Sequence, residues 1–221
     1  MSLKFIAALS CVFFALPVFI SCGNGNQNTE TEKQSNDSIK YEASKASTGW
    51  VALYDTRMAK RCYMTRDDYY ALKSGGCLRA EYEYLRPLGI VVKYSGIEII
   101  WGFDGLKNVS WSDAQSYVKK YSPDGHKWRM LTRFEASAIN TNHFDFSDIF
   151  QSYYPQDISY LDSFLYIENW TSSLSDEVYI KDGNEYNLVY TLDIYNKKSR
   201  LEKGWTTYDG DVHNVYPISD L

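Results

Sequence analysis

Between Trp111 and Glu135 the chain reads WSDAQSYVKKYSPDGHKWRMLTRFE, two helix starts separated by a sharp stop. Ser110 and Asp113 fit an N-terminal capping box, in which a hydroxyl and a carboxylate satisfy the first free helix N–H groups. Trp111, Ala114, Val118 and Tyr121 recur at helical spacing and share one face, leaving Asp113, Gln115, Ser116, Lys119 and Lys120 on the others. Ser122-Pro123-Asp124-Gly125 ends that helix, because proline cannot continue the hydrogen-bond ladder and Asp-Gly favours a turn. Trp128 and Met130 then alternate with Arg129 as in a short strand. Thr132 and Glu135 form a second capping box, opening a helix through Phe134, Ala136 and Ile139. Two amphipathic helices packed on a core account for these residues better than a catalytic role does.

The first residues belong to a leader rather than to the fold. Lys4 supplies a positive n-region and Phe5 to Ile20 a mostly apolar h-region. Phe19-Ile20-Ser21-Cys22 resembles a lipobox, which makes residues 1–21 a lipoprotein signal peptide and Cys22 the acylated mature N-terminus. Position 19 carries Phe where an aliphatic residue is usual, and the competing reading is an ordinary secretory signal with an incidental Cys22. The apolar run is short for a membrane span, which needs ~20 residues, and Pro17 interrupts it. Membrane lipid would therefore be engaged through the acyl chains on Cys22, several of which give stable anchoring. The expected location is the outer membrane of a Gram-negative cell envelope, on its periplasmic face or at the cell surface.

Residues 22–47 are Asn, Gln, Thr, Glu, Lys and Ser with almost no large apolar side chains, the composition of a disordered tether. Asp37-Ser38-Ile39 resembles a short O-glycosylation acceptor, and an unmodified tether is an equal alternative. From residue 48 to residue 221 the chain is rich in Tyr, Trp and Phe and long enough for one domain with a real core. Loss of Lys4 with the leader moves the formal net charge from −5 to −6. That acidic balance, with no basic cluster, argues against a nucleic-acid partner.

Cys11 falls in the leader and Cys22 would carry lipid, leaving Cys62 and Cys77. In an envelope protein these two are expected to pair as a disulfide, worth ~3 kcal/mol on the chain-entropy model. A metal pair would want four Cys/His ligands, and a nucleophilic cysteine would want a base nearer than His126, His143 or His213. The sequence thus calls for neither metal nor cofactor.

Elsewhere, Gly49–Tyr54 reads as a strand and Thr65–Lys73 as a helix capped by Thr65 and Asp68. Gly89–Trp101 holds two β-branched runs split by Ser95-Gly96, a hairpin signal. Asn140–Asp162 is an irregular aromatic loop. It is either functional, as long loops often are, or laid on the core. Strands are expected at Phe164–Ser172, Glu177–Lys181 and Leu188–Tyr195, with a turn at Asp182-Gly183. A last strand at Asn214–Ile218 is expected at a sheet edge because of Pro217.

LGIVVKYSG, VSWSDAQSYVKKY, DGHKWRMLTRFE, ENWTSS and NVYPISDL, in that order, resemble the motif sequence of the Lcl C-terminal domain-like family. Gly125, Trp128, Arg129, Thr132 and Glu135 match its Gly-x-x-x-Trp-Arg-Leu-Pro-Thr-x-x-Glu turn, with Met130 and Leu131 in place of Leu and Pro. Asn169–Ser173 matches a later strand. The resemblance covers residues 88–221 and leaves 48–87 as an N-terminal elaboration. It implies an α+β, C-type-lectin-like fold related to the formylglycine-generating enzyme, with two helices packed on small antiparallel sheets and long loops. It also implies ligand contacts in the loops after the second helix, where Tyr153, Tyr154, Tyr160, Trp205, Tyr208 and Asp209 lie. Exposed aromatic rings there would stack on sugars or anchor a protein. The Glu-Pro-Asn and Trp-Asn-Asp signatures of calcium lectins are absent, and Asp145/Asp148 and Asp209/Asp211 read as solvated loop residues rather than as a calcium site. There is no cysteine after Cys77, so the modifying enzymes' chemistry does not carry over.

The leading expectation is a non-catalytic envelope lipoprotein that binds a glycan or protein ligand. Its first alternative is a structural or assembly subunit of a surface appendage or envelope complex. A hydrolytic or modifying enzyme comes third, with Glu168 and His143 as an acid/base pair that no spacing singles out.

Overall fold

The computed structural model of the chain describes residues 38–74, 77–94, 96–142, 166–195, 198–205 and 212–221. Within them the fold is mixed α+β, built mostly of antiparallel sheet with three α-helices. The first sheet comprises β1 (Val51–Asp55), β2 (Lys60–Met64), β5 (Leu85–Tyr94), β6 (Ile97–Gly102) and β12 (Ile218–Asp220), in the order β12-β6-β5-β1-β2. The second comprises β7 (Leu106–Val109), β8 (Tyr166–Lys181), β9 (Asn184–Tyr195), β10 (Lys198–Trp205) and β11 (His213–Val215), in the order β10-β9-β8-β11-β7. A small hairpin, β3 (Lys73–Ser74) with β4 (Cys77–Leu78), stands apart from both.

The first sheet is buried on both faces, and its side chains are shared among three core clusters. Val51 and Leu53 face one cluster with Met64, Tyr69 and Leu72, whereas Ala52 faces another with Val91, Ile100 and Trp128. Val92, Ile99 and Trp101 enter a third with Leu131, Ala136, Ile139 and Ile218. This explains why β5 reads as an unbroken apolar run instead of an alternating one.

All three helices begin where hydroxyl caps predict. α1 (Arg66–Ala71) starts at Thr65, which accepts from the Asp68 N–H. α2 (Trp111–Lys120) starts at Ser110, which accepts from the Asp113 N–H. α3 (Arg133–Thr141) starts with a full capping box between Thr132 and Glu135. Ala114 and Val118 of α2 are buried against Met130, Trp170, Val189 and Val215, with Trp111 packed beside them. In α3, Ala136 and Ile139 are buried but Phe134 is 63% exposed, so it does not join the face expected for it.

The structure bears on four expectations. Residues 48–87, read as an N-terminal elaboration, are built into the first sheet, where β1 lies between β2 and β5 and pairs with both along its length. The segment read as tether is folded at its end: Ile39 and Ala46 are buried, and Lys40 exchanges backbone hydrogen bonds with Tyr63. The strand expected at Asn214–Ile218 is two strands, β11 and β12, divided at Tyr216-Pro217 and belonging to different sheets. Finally, the structure does not bring Cys62 and Cys77 together as a bridge. Cys62 points from β2 into the core beside Leu53 and Tyr69, while Cys77 is exposed on β4, and both thiols are free. Burial pushes the Cys62 thiol up to about 12.

The strands expected at 164–172 and 177–181 are one strand, β8, whose pairing with β9 shifts register between Trp170 and Leu174 and again between Leu174 and Val178. Asp182 and Gly183, both at positive φ, make the predicted turn. Beyond Leu188 this hairpin has no third strand among the described residues, because β10 pairs only with Leu188–Tyr195 and β11 meets β8 only at Asn169.

Candidate functional site

Arg61, on β2, is held at three points. Its Nε donates to Oδ2 of Asp124 at 2.6 Å, Nη1 to the Asp220 carbonyl at 2.6 Å, and Nη2 to Oγ of Ser219 at 2.8 Å. Asp124, in the Pro123-Asp124-Gly125 turn, also accepts from Trp128 Nε1 at 2.9 Å and from the His126 N–H at 3.2 Å. Burial opposes the charge on this carboxylate, but Arg61, Trp128 and the His126 amide outweigh it and hold it below the usual range. The turn residue that sequence treated as a helix breaker is thus the hub of a buried ion pair.

A second network lies beside the first. Arg129 grips Glu135 bidentately at 2.9 and 2.6 Å and reaches Oδ1 of Asp220 at 2.5 Å. Glu135 simultaneously accepts from the Thr132 N–H and hydroxyl at 2.8 and 2.7 Å. Burial works against its charge, while Arg129 and Thr132 prevail and lower its carboxyl below the usual range. The Arg, Trp and Glu of the opening motif are therefore structural: Arg129 and Glu135 join α3 to the end of β12, and Trp128 holds Asp124.

Arg61, Ser219 and Asp220 of these networks line an open cleft of about 530 Å³, together with Tyr41, Lys60, His126 and Lys127 among others. Tyr41 stands at its rim with 44% of its surface exposed, and its hydroxyl donates to the buried Asp55 carboxylate at 2.9 Å. Burial and that carboxylate push the Tyr41 phenol up to about 12. Ala59, at φ 51°, turns the chain between β1 and β2 and leaves Lys60 exposed at the cleft mouth. Lys127 and His126, also in its lining, are exposed.

Asp124, His126 and Ser219 bring an acid, an imidazole and a hydroxyl to one place, and the geometry decides against a nucleophile. Ser219 is buried, accepts from Arg61 and donates to the Lys127 carbonyl at 2.9 Å. His126 Nδ1 lies 3.3 Å from Oδ2 of Asp124, and no hydrogen bond joins it to Ser219 among the described residues. A nucleophile needs its base within hydrogen-bond reach, and this hydroxyl is already spent on the backbone. No cluster of three metal-ligating side chains occurs among the described residues.

Of the residues singled out by sequence, Cys22, Tyr153, Tyr154, Tyr160, Tyr208 and Asp209 lie outside the described residues, as do His143, Asp145, Asp148 and Asp211. Trp205 ends β10 and its backbone pairs with Leu188. The cleft went unnoticed in the sequence because it is assembled from residues 41, 59–61, 63, 126–127 and 219–221, segments with no shared spacing. Tyr41 was counted with the tether; an isolated aromatic next to Ile39 was the available signal that this stretch is folded.

Comparison of the chain with protein-family models, with curated proteins and with solved structures finds no match in any of the three.

Proposed function

We propose that this chain is a lipid-anchored protein of a Gram-negative cell envelope whose folded domain, C-type-lectin-like in class, is a non-catalytic binding module for a glycan or protein ligand. The lipobox-like Phe19–Cys22 supports the anchor. No helix among the described residues is long and apolar enough to cross a membrane, and acylation needs none. The order of motifs supports the fold class, and so does the packing of α2 and α3 on antiparallel sheet.

The cleft carries the functional reading. Arg61, Ser219 and Asp220 in its lining are tied to one another by hydrogen bonds and so preorganised, while Tyr41, Lys60, His126 and Lys127 remain exposed. Its volume lies within the range of ligand sites. A second reading, an assembly subunit, is favoured by a different observation. The β8–β9 hairpin exposes Leu174, Val178 and Ile180 at 53, 53 and 64%.

Presenting the full chain, in detergent, to arrays of glycans and envelope proteins with and without calcium tests the binding reading. Ligands retained by the wild type should be lost by Lys60→Glu/Lys127→Glu. Retention indifferent to that change would remove the cleft from consideration. Persistent palmitate incorporation in Cys22→Ser would remove the lipid anchor.

A further inference from the structure

We infer that the occupant of the cleft is the β8–β9 hairpin of a second copy of this chain, giving head-to-tail association; the inference rests on the reading of the cleft as a binding site.

The hairpin is built as a ligand rather than as part of the body. Between Asp176 and Glu185 every residue whose side chain is described is exposed. A two-stranded hairpin is marginal in water without a face to pack on. Here Val178 and Ile180 lie on one face and Tyr179, paired with Tyr186, on the other, and all three are exposed. Burying that apolar surface against a partner removes the penalty. Because Asp182, Gly183, Asn184 and Glu185 are exposed, the tip is not seated in the cleft of its own molecule.

Charge selects the partner. The arm carries Asp176, Glu177, Asp182 and Glu185 against a single Lys181. The cleft offers Lys60 and Lys127, both exposed and both in its lining, and Lys119 and Lys120 are exposed on the last turn of α2 leading into the same turn region. The carboxylates that border it are engaged: Asp124 by Arg61, Asp55 by Tyr41 and Arg57, Asp220 by Arg129. A protein that is acidic overall therefore has a lysine-rich mouth at one place and an acidic, apolar-flanked arm at another. Opposed patches of this kind steer and register an encounter. The cleft volume suits the turn of the hairpin, Asp182-Gly183 and its neighbours, with Val178, Tyr179 and Ile180 left to cover the rim. Since arm and cleft are different surfaces, the contact is heterologous and propagates as a ring or an open row.

Sedimentation of the full chain in detergent, across protein concentration at low and high salt, reads the association directly. The expected result is a mass that climbs with concentration and an association weakened at least tenfold by high salt. Lys60→Glu/Lys127→Glu and Asp182→Lys/Glu185→Lys should each be monomeric alone. All four positions are exposed, and an unchanged thermal midpoint verifies that each variant folds. Mixing the two variants re-creates opposite charges at both contacts and should restore association. A wild type that stays monomeric overturns the self-partner. If array ligands are still lost in Lys60→Glu/Lys127→Glu, that same result leaves the cleft as a site for something else. Association that survives the cleft variant, or fails to return on mixing, overturns the seating of the arm in the cleft.

Discussion

Arg61 and Asp124 meet at 2.6 Å with side chains only 9% and 0% exposed, fastening β2 to the turn between α2 and α3. Removing one member of a buried pair strands the other charge, which costs about 3–5 kcal/mol, whereas replacing both by apolar groups is often neutral. Arg61→Met and Asp124→Leu should therefore each lower stability by about that amount, and the double variant by less than their sum. Denaturant unfolding of the three variants measures this. Strict additivity would mean that the two side chains act independently.

Acid should weaken the fold through the same groups. Asp55, Asp124 and Glu135 are all held below their ordinary values: burial resists their charge, but hydrogen bonds from Tyr41, Arg61 and Arg129 respectively overcome it. Their stabilisation is complete above the unfolded-state values of about 4 and is lost as pH falls through the lower folded values, where the unfolded chain takes up more protons. The thermal midpoint should be level from pH 6 to 8 and fall below about pH 4. A midpoint still level at pH 3 would remove these carboxylates from the account.

The two described thiols should differ sharply in reactivity. A thiol-specific reagent at pH 8 should modify Cys77 at once and Cys62 only after unfolding, because Cys62 is buried with its thiol pushed up to about 12 and Cys77 is exposed. Mass spectrometry of the labelled peptides decides it. Labelling of neither residue until a reductant is added would instead reveal the bridge.

Gly89 has no room for a side chain. A Cβ there would sit 2.0 Å from the Trp101 carbonyl oxygen on the neighbouring strand, so β5 and β6 must part to admit one. Gly89→Ala should cost at least the 1–3 kcal/mol typical of overpacking, read as a lower denaturant midpoint. An unchanged midpoint would show that the sheet yields at no cost.

Much of the local structure was legible because it is written in short-range chemistry. Thr65, Ser110 and Thr132 each announce a helix through a cap only three residues long, and Asp182-Gly183 and Ser95-Gly96 announce hairpins. β2 was missed because Lys60-Arg61-Cys62-Tyr63-Met64 begins with two charges and holds no β-branched residue, while its core side is supplied by Cys62 and Met64. The cleft was not legible at all, since Tyr41, Lys60, Lys127 and Asp220 meet only after the first sheet has formed and its two edge strands, β2 and β12, have come together. Asp124 shows the same limit in one residue: locally it marks a turn, and only the fold gives it Arg61.

The division at Tyr216-Pro217 has a consequence in time. Residues 213–215 complete one sheet and residues 218–220 the other, and β12 shares its sheet with β1, near the opposite end of the chain. A polypeptide delivered residue by residue can make its hairpins early, but it cannot close either sheet until that final stretch arrives. Such long-range closure is slow relative to helix or hairpin formation. Until then Ile99 and Trp101 of β6 present an open edge, so residues 218–220 act as the latch that ends the vulnerable period.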